Sequence, residues 1–322
     1  MTPPLHRLGN SGLAVSATGL GCNNLGRQGT VTNDPAAATE LVHAAIDAGV
    51  TLFDTADIYG SPRGRSEELL GAALGKRRGE VVVATKFGMD MAGGNGPDFG
   101  ARGSRRYIRT AVEASLRRLG TDWIDLYQMH EPDPATPIQE TLSALSDLVR
   151  EGKVRYLGNS NFAGWQLADA DSMATVGHFV PFISAQNEYS MLKRDIEAEV
   201  LPAAAAHGLG VLPFFPLANG LLTGKYRRGA APTDSRLVNL KPHLLDSAPW
   251  GVLDGLQALA DERGITMLDL AFGWLLAQPQ VTSVIAGATR PDQIRGNAAA
   301  ADAWTPDEVD LAAVDAVLAG VE

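Results

Sequence analysis

Eight times along this chain a short run rich in β-branched and aromatic residues gives way to a longer stretch of helical period. The runs are "SATGLG" from Ser16, "TLFDTA" from Thr51, "EVVVATK" from Glu80, "WIDLYQMH" from Trp123, "VRYLGNS" from Val154, "FISAQNEY" from Phe182, "GVLPFF" from Gly210 and "VTSVIAGA" from Val281. The intervening periodicity predicts helices over Pro35–Ala48, Glu67–Lys76, Ser104–Leu119, Pro137–Arg150, Phe162–Ala174, Ile196–His207, Met267–Ala277 and Pro291–Ala300. Two of them carry a start signal in which an N-cap oxygen precedes a proline, Asp34 before Pro35 and Thr136 before Pro137. Strand then helix, repeated eight times, is the pattern of an α/β chain closed into a (β/α)8 TIM barrel. "HRLGNSGLAV" from His6 predicts a β-hairpin with the turn "GNSG", placed to cap the N-terminal end of the barrel. "APWGVLDGLQALADERG" from Ala248 predicts an extra amphipathic helix before the last barrel unit.

A doubly wound dinucleotide fold shares the alternation, but its G-x-G-x-x-G turn is missing: "GLGCNNLG" places Gly19 and Gly21 correctly and the next glycine, Gly26, too late. No P-loop, G-x-S-x-G elbow or H-E-x-x-H stretch occurs. No linker or shift of composition divides the 322 residues, so one domain spanning 1–322 is expected.

Composition narrows the partners. A net charge of −10, with no basic run longer than Lys76 to Arg78, repels polyanions and argues against nucleic acid. Cys22 is the only cysteine, which excludes an internal disulfide and a cysteine-based zinc site and suits a reducing, cytoplasmic setting. Neither an export leader nor a continuous apolar span for a membrane is expected, and no obligate protein partner is indicated.

A barrel of this kind does its chemistry at the C-terminal ends of its strands. The polar residues there are Asp54, Lys86, His130, the triplet Asn159, Ser160 and Asn161, and Gln186 with Asn187; Tyr59 lies on the loop after Asp54. Each alone has an ordinary structural role open to it, as a cap, a rim charge, a scaffold histidine or a packed phenol. Together each corrects a defect of another. A tyrosine acting as a general acid needs its pKa lowered, and the Lys86 ammonium would do so. Buried, that ammonium needs a carboxylate to stay charged, and Asp54 would supply it. A neutral His130 would orient a carbonyl oxygen without adding a charge.

With "LFDTADIYG", "VVVATKFG", "DLYQMHEPD", "VRYLGNSNF", "QNEYSML", "GLLTGKY" and "VIAGATRPDQI" in order across nearly the whole chain, the sequence resembles the aldo-keto reductase superfamily. The resemblance implies a catalytic tetrad of Asp54, Tyr59, Lys86 and His130, with Tyr59 as proton donor. It implies a nicotinamide cofactor as hydride donor and a small carbonyl substrate, an aldehyde or ketone reduced to an alcohol. It also implies an extended dinucleotide, which accounts for the missing glycine turn. The cofactor contacts it implies begin with Cys22, Asn23 and Asp54. Ser160, Asn161 and Gln186 would bind the nicotinamide carboxamide, and Phe214 would stack on the ring. The loop from Phe215 through Pro216, Leu217 and Asn219 to Lys225 would wrap the pyrophosphate. Gly287, Thr289, Arg290, Gln293 and Asn297 would surround the adenosine end.

Asn219 stands where relatives often have Arg, Gly296 where a Glu often precedes the asparagine, and Asn23 and Asn24 where larger residues are common. Arg290 points to NADPH over NADH, because a guanidinium suits a phosphomonoester. Substrate choice is expected to depend on the glycine-rich loop from Gly88, the loop from Asn219 and the tail after Trp304. The resemblance implies a second possibility as well: a cofactor-binding regulatory barrel subunit with slow or secondary catalysis.

Overall fold

The computed structural model describes residues 4–233 and 235–320. Position 234, in the loop from Asn219, lies outside the described residues, as do positions 1–3 of the N-terminal stretch and the end of the tail at 321–322.

The hairpin forms from β1 (Leu5–Arg7) and β2 (Ala14–Ser16), antiparallel, with Leu8 N–H donating to Leu13 O across the "GNSG" turn at 2.8 Å. Eight parallel strands follow: β3 (Thr18–Gly21), β4 (Leu52–Asp54), β5 (Val82–Phe87), β6 (Ile124–Met129), β7 (Val154–Ser160), β8 (Phe182–Gln186), β9 (Gly210–Val211) and β10 (Val284–Gly287). They pair in the order β10-β3-β4-β5-β6-β7-β8-β9. The two ends of that order meet: Thr282 N–H donates to Val211 O at 3.0 Å and Ile285 N–H to Pro213 O at 3.1 Å. The sheet is thereby a barrel. The seventh strand is shorter than "GVLPFF" predicts because Pro213 has no N–H for the ladder, and it continues only as a bridge from Phe214 to Glu188.

Around the sheet lie α1 (Pro35–Asp47), α2 (Arg65–Leu74), α3 (Arg105–Leu119), α4 (Ile138–Arg150), α5 (Gly164–Gly177), α6 (Val200–Ala206), two short helices α7 (Arg236–Leu240) and α8 (His243–Asp246), then α9 (Trp250–Arg263), α10 (Met267–Leu276), α11 (Pro291–Ala303) and α12 (Glu308–Ala319). The Asp34 cap is present, its Oδ2 accepting from Ala37 N–H at 2.9 Å, and α9 is the extra helix read from Ala248. The tail after Trp304 is largely helical: α12 starts at an Asp307 cap that accepts from Asp310 N–H at 2.9 Å. It packs on α9, where a Cβ added at Gly255 would lie 2.8 Å from Val317.

Period two decides what the barrel encloses. Leu52, Ala84, Leu126, Leu212 and Ile285 point inward and form one cluster with Leu8 and Val15 of the hairpin, which plugs the N-terminal end. Leu8 and Val15 are fully buried, each contributing about 2 kcal/mol of apolar burial. Two residues further along the same strands stand Asp54, Lys86 and Gln128, with Phe214 and Gly287 continuing the phase toward the rim, so the next layer brings three buried polar side chains together. In the opposite phase, Phe53, Val83, Tyr127 and Val211 face outward into the helices and the main core.

Candidate active site

Lys86, at the end of β5, has no exposed surface, and its ammonium donates to Asp54 Oδ2 at 2.7 Å and to the Thr55 carbonyl at 2.8 Å. Asp54 is itself buried. Its other oxygen, Oδ1, accepts from Gln186 Nε2 at 2.8 Å and from Gln128 Nε2 at 3.3 Å. One carboxylate thus gathers three side chains from three other strands, satisfying a charge that burial alone would leave costly. Burial pulls the Lys86 pKa down, but Asp54 and Tyr59 outweigh it and hold the ammonium above its ordinary value. The lysine is a fixed positive charge.

The loop after Asp54 is zipped to β5: Thr55 N–H donates to Ala84 O at 2.8 Å and Asp57 N–H to Lys86 O at 3.1 Å. It closes at Tyr59, whose carbonyl accepts from Gly64 and Ser66 N–H at 3.1 and 3.2 Å at the start of α2. This brings the Tyr59 ring over Lys86, with the ammonium 5.1 Å from the ring centroid. The His130 ring meets Tyr59 edge-on at 5.8 Å. Burial, reinforced by Lys86, drives the His130 pKa well below 6.5, so the imidazole is neutral. Its Nδ1 is buried and has no partner among the described residues. The four strand-end and loop residues picked out from the sequence therefore share one mouth.

The electrostatics of the phenol correct one expectation. Lys86 does lower the Tyr59 pKa, but burial raises it more and Asp54 adds to the rise, so the net direction is upward. Tyr59 rests as a protonated phenol, available as an acid rather than poised as a phenolate.

Around this mouth, Ser160 is buried and its hydroxyl donates to Gln186 O at 2.8 Å. Asn161, with φ of 59°, donates through Nδ2 to His130 O at 2.9 Å. Both amides lean on backbone or on Asp54 with their N–H groups and keep carbonyl oxygens as acceptors. Phe214 is half-buried beside Phe215, their rings edge-on at 5.3 Å. The following loop is unusual: Phe215, Ala218 and Asn219 have φ of 51°, 46° and 59°, and Gly220 follows at 109°. Left-handed backbone at three non-glycine residues is costly and points to a local demand beyond packing. Pro216 is buried, Leu217 is partly so, and Lys225 is exposed with its ammonium 5.1 Å from the Tyr226 ring centroid. Lys241, which the sequence did not single out, donates to Asn219 Oδ1 at 3.0 Å.

At the far end Gly287 is exposed at the tip of β10, and a Cβ there would approach Asn24 Nδ2 to 3.2 Å. Gln293 Oε1 accepts from Thr289 N–H at 2.8 Å and from Arg290 N–H at 3.3 Å, tying the turn that opens α11. Asn297 is buried, its Nδ2 without a partner among the described residues. The Arg290 guanidinium grips Asp292 through Nε at 3.1 Å and Nη2 at 3.3 Å, an exposed pair worth about 1 kcal/mol at most. Asn23 is partly exposed behind Gly287, whereas the Cys22 thiol is buried in the main core, its pKa raised by burial. Gln128 was missed from sequence, although it stands two positions before His130 and so in the same inward phase.

Residues 17–319 match the family model described as "Aldo/keto reductase family". The chain is 39% identical over 306 residues to a "Probable voltage-gated potassium channel subunit beta" of Arabidopsis thaliana, covering 92% of this chain and 90% of that protein. It is 40% identical over 296 residues to the "Uncharacterized oxidoreductase YrpG" of Bacillus subtilis, with coverage of 89% and 88%. To the "L-glyceraldehyde 3-phosphate reductase" of Escherichia coli K12 it is 34% identical over 327 residues, with coverage of 98% and 92%. With a family model spanning almost every described strand and helix, and relatives matching end to end, the chain belongs to the aldo/keto reductase family of oxidoreductases.

Proposed function

We propose that the protein reduces an aldehyde or ketone with NADPH, Tyr59 giving the proton. The observation that carries this reading is the fully buried Lys86 ammonium, held by Asp54 and the Thr55 carbonyl with the Tyr59 ring 5.1 Å away. A neutral His130 beside the phenol is suited to donate a hydrogen bond to the substrate oxygen and turn it toward Tyr59. The proton then passes from the phenol to that oxygen, and the fixed ammonium stabilises the charge left on Tyr59.

The residues present suit the dinucleotide. Asn161 and Gln186 offer carbonyl oxygens to a carboxamide, and Phe214 offers a ring face. The left-handed run from Ala218 to Gly220, flanked by Lys241 and Lys225, is suited to a pyrophosphate. The unpartnered Asn297 amide and the open approach at Gly287 suit the adenosine end. When bound, the nicotinamide supplies the hydride. Arg290 would exchange its weak hold on Asp292 for a 2'-phosphate, which favours NADPH.

A second reading, a cofactor-binding regulatory barrel, is favoured by the similarity to the plant protein named as a potassium channel β subunit. Loss of NADPH absorbance over a panel of aldehydes, beside Tyr59→Phe, separates the two. The reductase reading expects turnover that falls by roughly 10²- to 10⁴-fold in the variant, with cofactor binding unchanged by tryptophan fluorescence. Equal inertness of both proteins with the cofactor still bound sinks it and leaves the regulatory reading.

A further inference from the structure

Of the glycine-rich segment 89–102 only Met91 and Asn95 are buried, the rest being exposed or half-buried. Asn95 reaches behind the mouth. Its Nδ2 donates to Asp57 Oδ2 at 2.8 Å and, more loosely, to the Tyr107 hydroxyl at 3.4 Å, while its Oδ1 accepts from Arg118 Nη1 at 3.0 Å. The chain of bonds continues inward. Arg118 Nε donates to Glu67 Oε2 at 2.6 Å, and Glu67 Oε1 accepts from Thr85 Oγ1 at 2.6 Å, next to Lys86 on β5. Asp57, Glu67 and Thr85 have no exposed surface.

Asp57 sits two residues before Tyr59, and its own N–H is bonded to the Lys86 carbonyl. The segment's other polar ties near the Tyr59 loop, from Arg63 to the Asp90 carbonyl and carboxylate, lie at the surface, where such pairs contribute little. Among the segment's polar contacts, one buried amide therefore links it with the loop that carries the phenol.

We infer that Asn95 is a positioning residue: through Asp57 it latches the glycine-rich loop to the Tyr59 loop, so that loop closure and the placement of the phenol over Lys86 are one event. This rests on the carbonyl reductase reading for its consequence but not for the latch itself. Asn95 is bonded to Asp57, Tyr107 and Arg118 and would act only through where Tyr59 stands.

The test uses three variants of the full chain. Asn95→Ala removes the latch; Asn95→Asp sets a carboxyl group against Asp57; and adding Asp57→Asn to Asn95→Asp restores a donor and an acceptor with their roles exchanged, Arg118 still donating. Single-turnover reduction of a small aldehyde, cofactor affinity by fluorescence, and amide hydrogen exchange are measured on each. In Asn95→Ala the reduction rate is expected to fall about ten-fold, the weight of one hydrogen bond to a carboxyl group. Cofactor affinity should not change, exchange should quicken at both 89–102 and 55–60, and the barrel strands should be unaffected. Assayed well above pH 8, where Asp57 has lost its proton, Asn95→Asp should be similarly slow, and Asp57→Asn should restore it. An Asn95→Ala protein with unchanged exchange at 55–60, or an exchanged pair no better than Asn95→Asp, overturns the latch. Should the wild type reduce no carbonyl, the enzymatic reading falls, while hydrogen exchange still decides the latch.

Discussion

Asp57 gives the sharpest quantitative test, through stability as a function of pH. Its carboxyl group is fully buried; Oδ2 accepts from Asn95, and Oδ1 has no partner among the described residues. Burial first, and the Glu67 carboxylate second, raise its pKa from 3.8 to about 8, against the Asn95 and Arg118 contributions. A carboxyl group with a raised folded pKa holds its proton in the native state while the unfolded chain has lost it. Its contribution to stability is complete below the unfolded value and is lost as pH rises through the folded one. Between about pH 4 and pH 8 that loss is about 1.4 kcal/mol per pH unit.

Asp57→Asn keeps the shape and an oxygen for the Asn95 bond but binds no proton. Relative to the wild type, it should gain about 2.7 kcal/mol of stability between pH 5 and pH 7, about 1.36 kcal/mol for each of the two units. With an unfolding entropy of about 2.1 cal/mol/K per residue over this chain, that corresponds to ~4 °C in Tm. Circular dichroism melts of both proteins at pH 5, 6, 7 and 8 provide the measurement, with urea titrations as a check. Two stability curves that run parallel from pH 5 to pH 7 would refute the reasoning, because Asp57 would then be ionised throughout.

Three further outcomes follow from other contacts. Lys86→Met leaves Asp54 buried with only amide donors, and urea unfolding at pH 7 should show a loss of roughly 3–5 kcal/mol together with loss of turnover. Gly158→Ala places a Cβ 2.3 Å from Ser184 Oγ and 3.0 Å from Gln128 Cγ inside the barrel, so Tm should fall by the equivalent of about 1–3 kcal/mol. Adding Ser184→Ala should recover part of that loss, and no recovery would mean the clash is not with Ser184. Arg290→Ala should raise the dissociation constant for NADPH far more than that for NADH; an equal effect on both removes the 2'-phosphate role.

The parts of the site legible in the sequence are those that follow a period. Asp54, Lys86 and His130 close apolar runs, and Tyr59 lies on the loop that one of those runs enters; the chain's alternation places such loops at a single rim. Asn95 follows no period: a lone asparagine among glycines gives no sign that it turns inward. Lys241 and Asn219 lie 22 positions apart and meet only because the loop between them folds back through α7. Asp292 was read past because an acidic residue in a first helical turn is ordinary. The helix after Trp304 was hidden for a different reason, since its apolar residues pack on α9, itself an addition to the eightfold repeat. The upward direction of the Tyr59 pKa was beyond reach, because burial, its largest cause, exists only once the barrel has closed.

That upward direction bears on how the lysine acts. An ammonium bonded mainly to the phenol would favour phenolate at rest and leave no proton to give. Here Lys86 is bonded to Asp54 and to the Thr55 carbonyl as well as to the phenol, and burial keeps Tyr59 protonated. The positive charge cannot turn away as the proton leaves, since it is fixed by those two acceptors and pays no reorganisation at that moment. In the proposed proton transfer it would act more strongly on the charge developing at Tyr59 than on the neutral phenol, which is the condition for lowering a barrier rather than only binding a ground state. In the proposed mechanism Asp54 would serve the chemistry by occupying Lys86, and the two glutamines by occupying the second oxygen of Asp54. Gln128→Leu should on this view slow proton transfer while leaving the Tyr59 hydroxyl in place. A Gln128→Leu protein with wild-type single-turnover rates and a wild-type pH profile would show that Asp54 needs no such help.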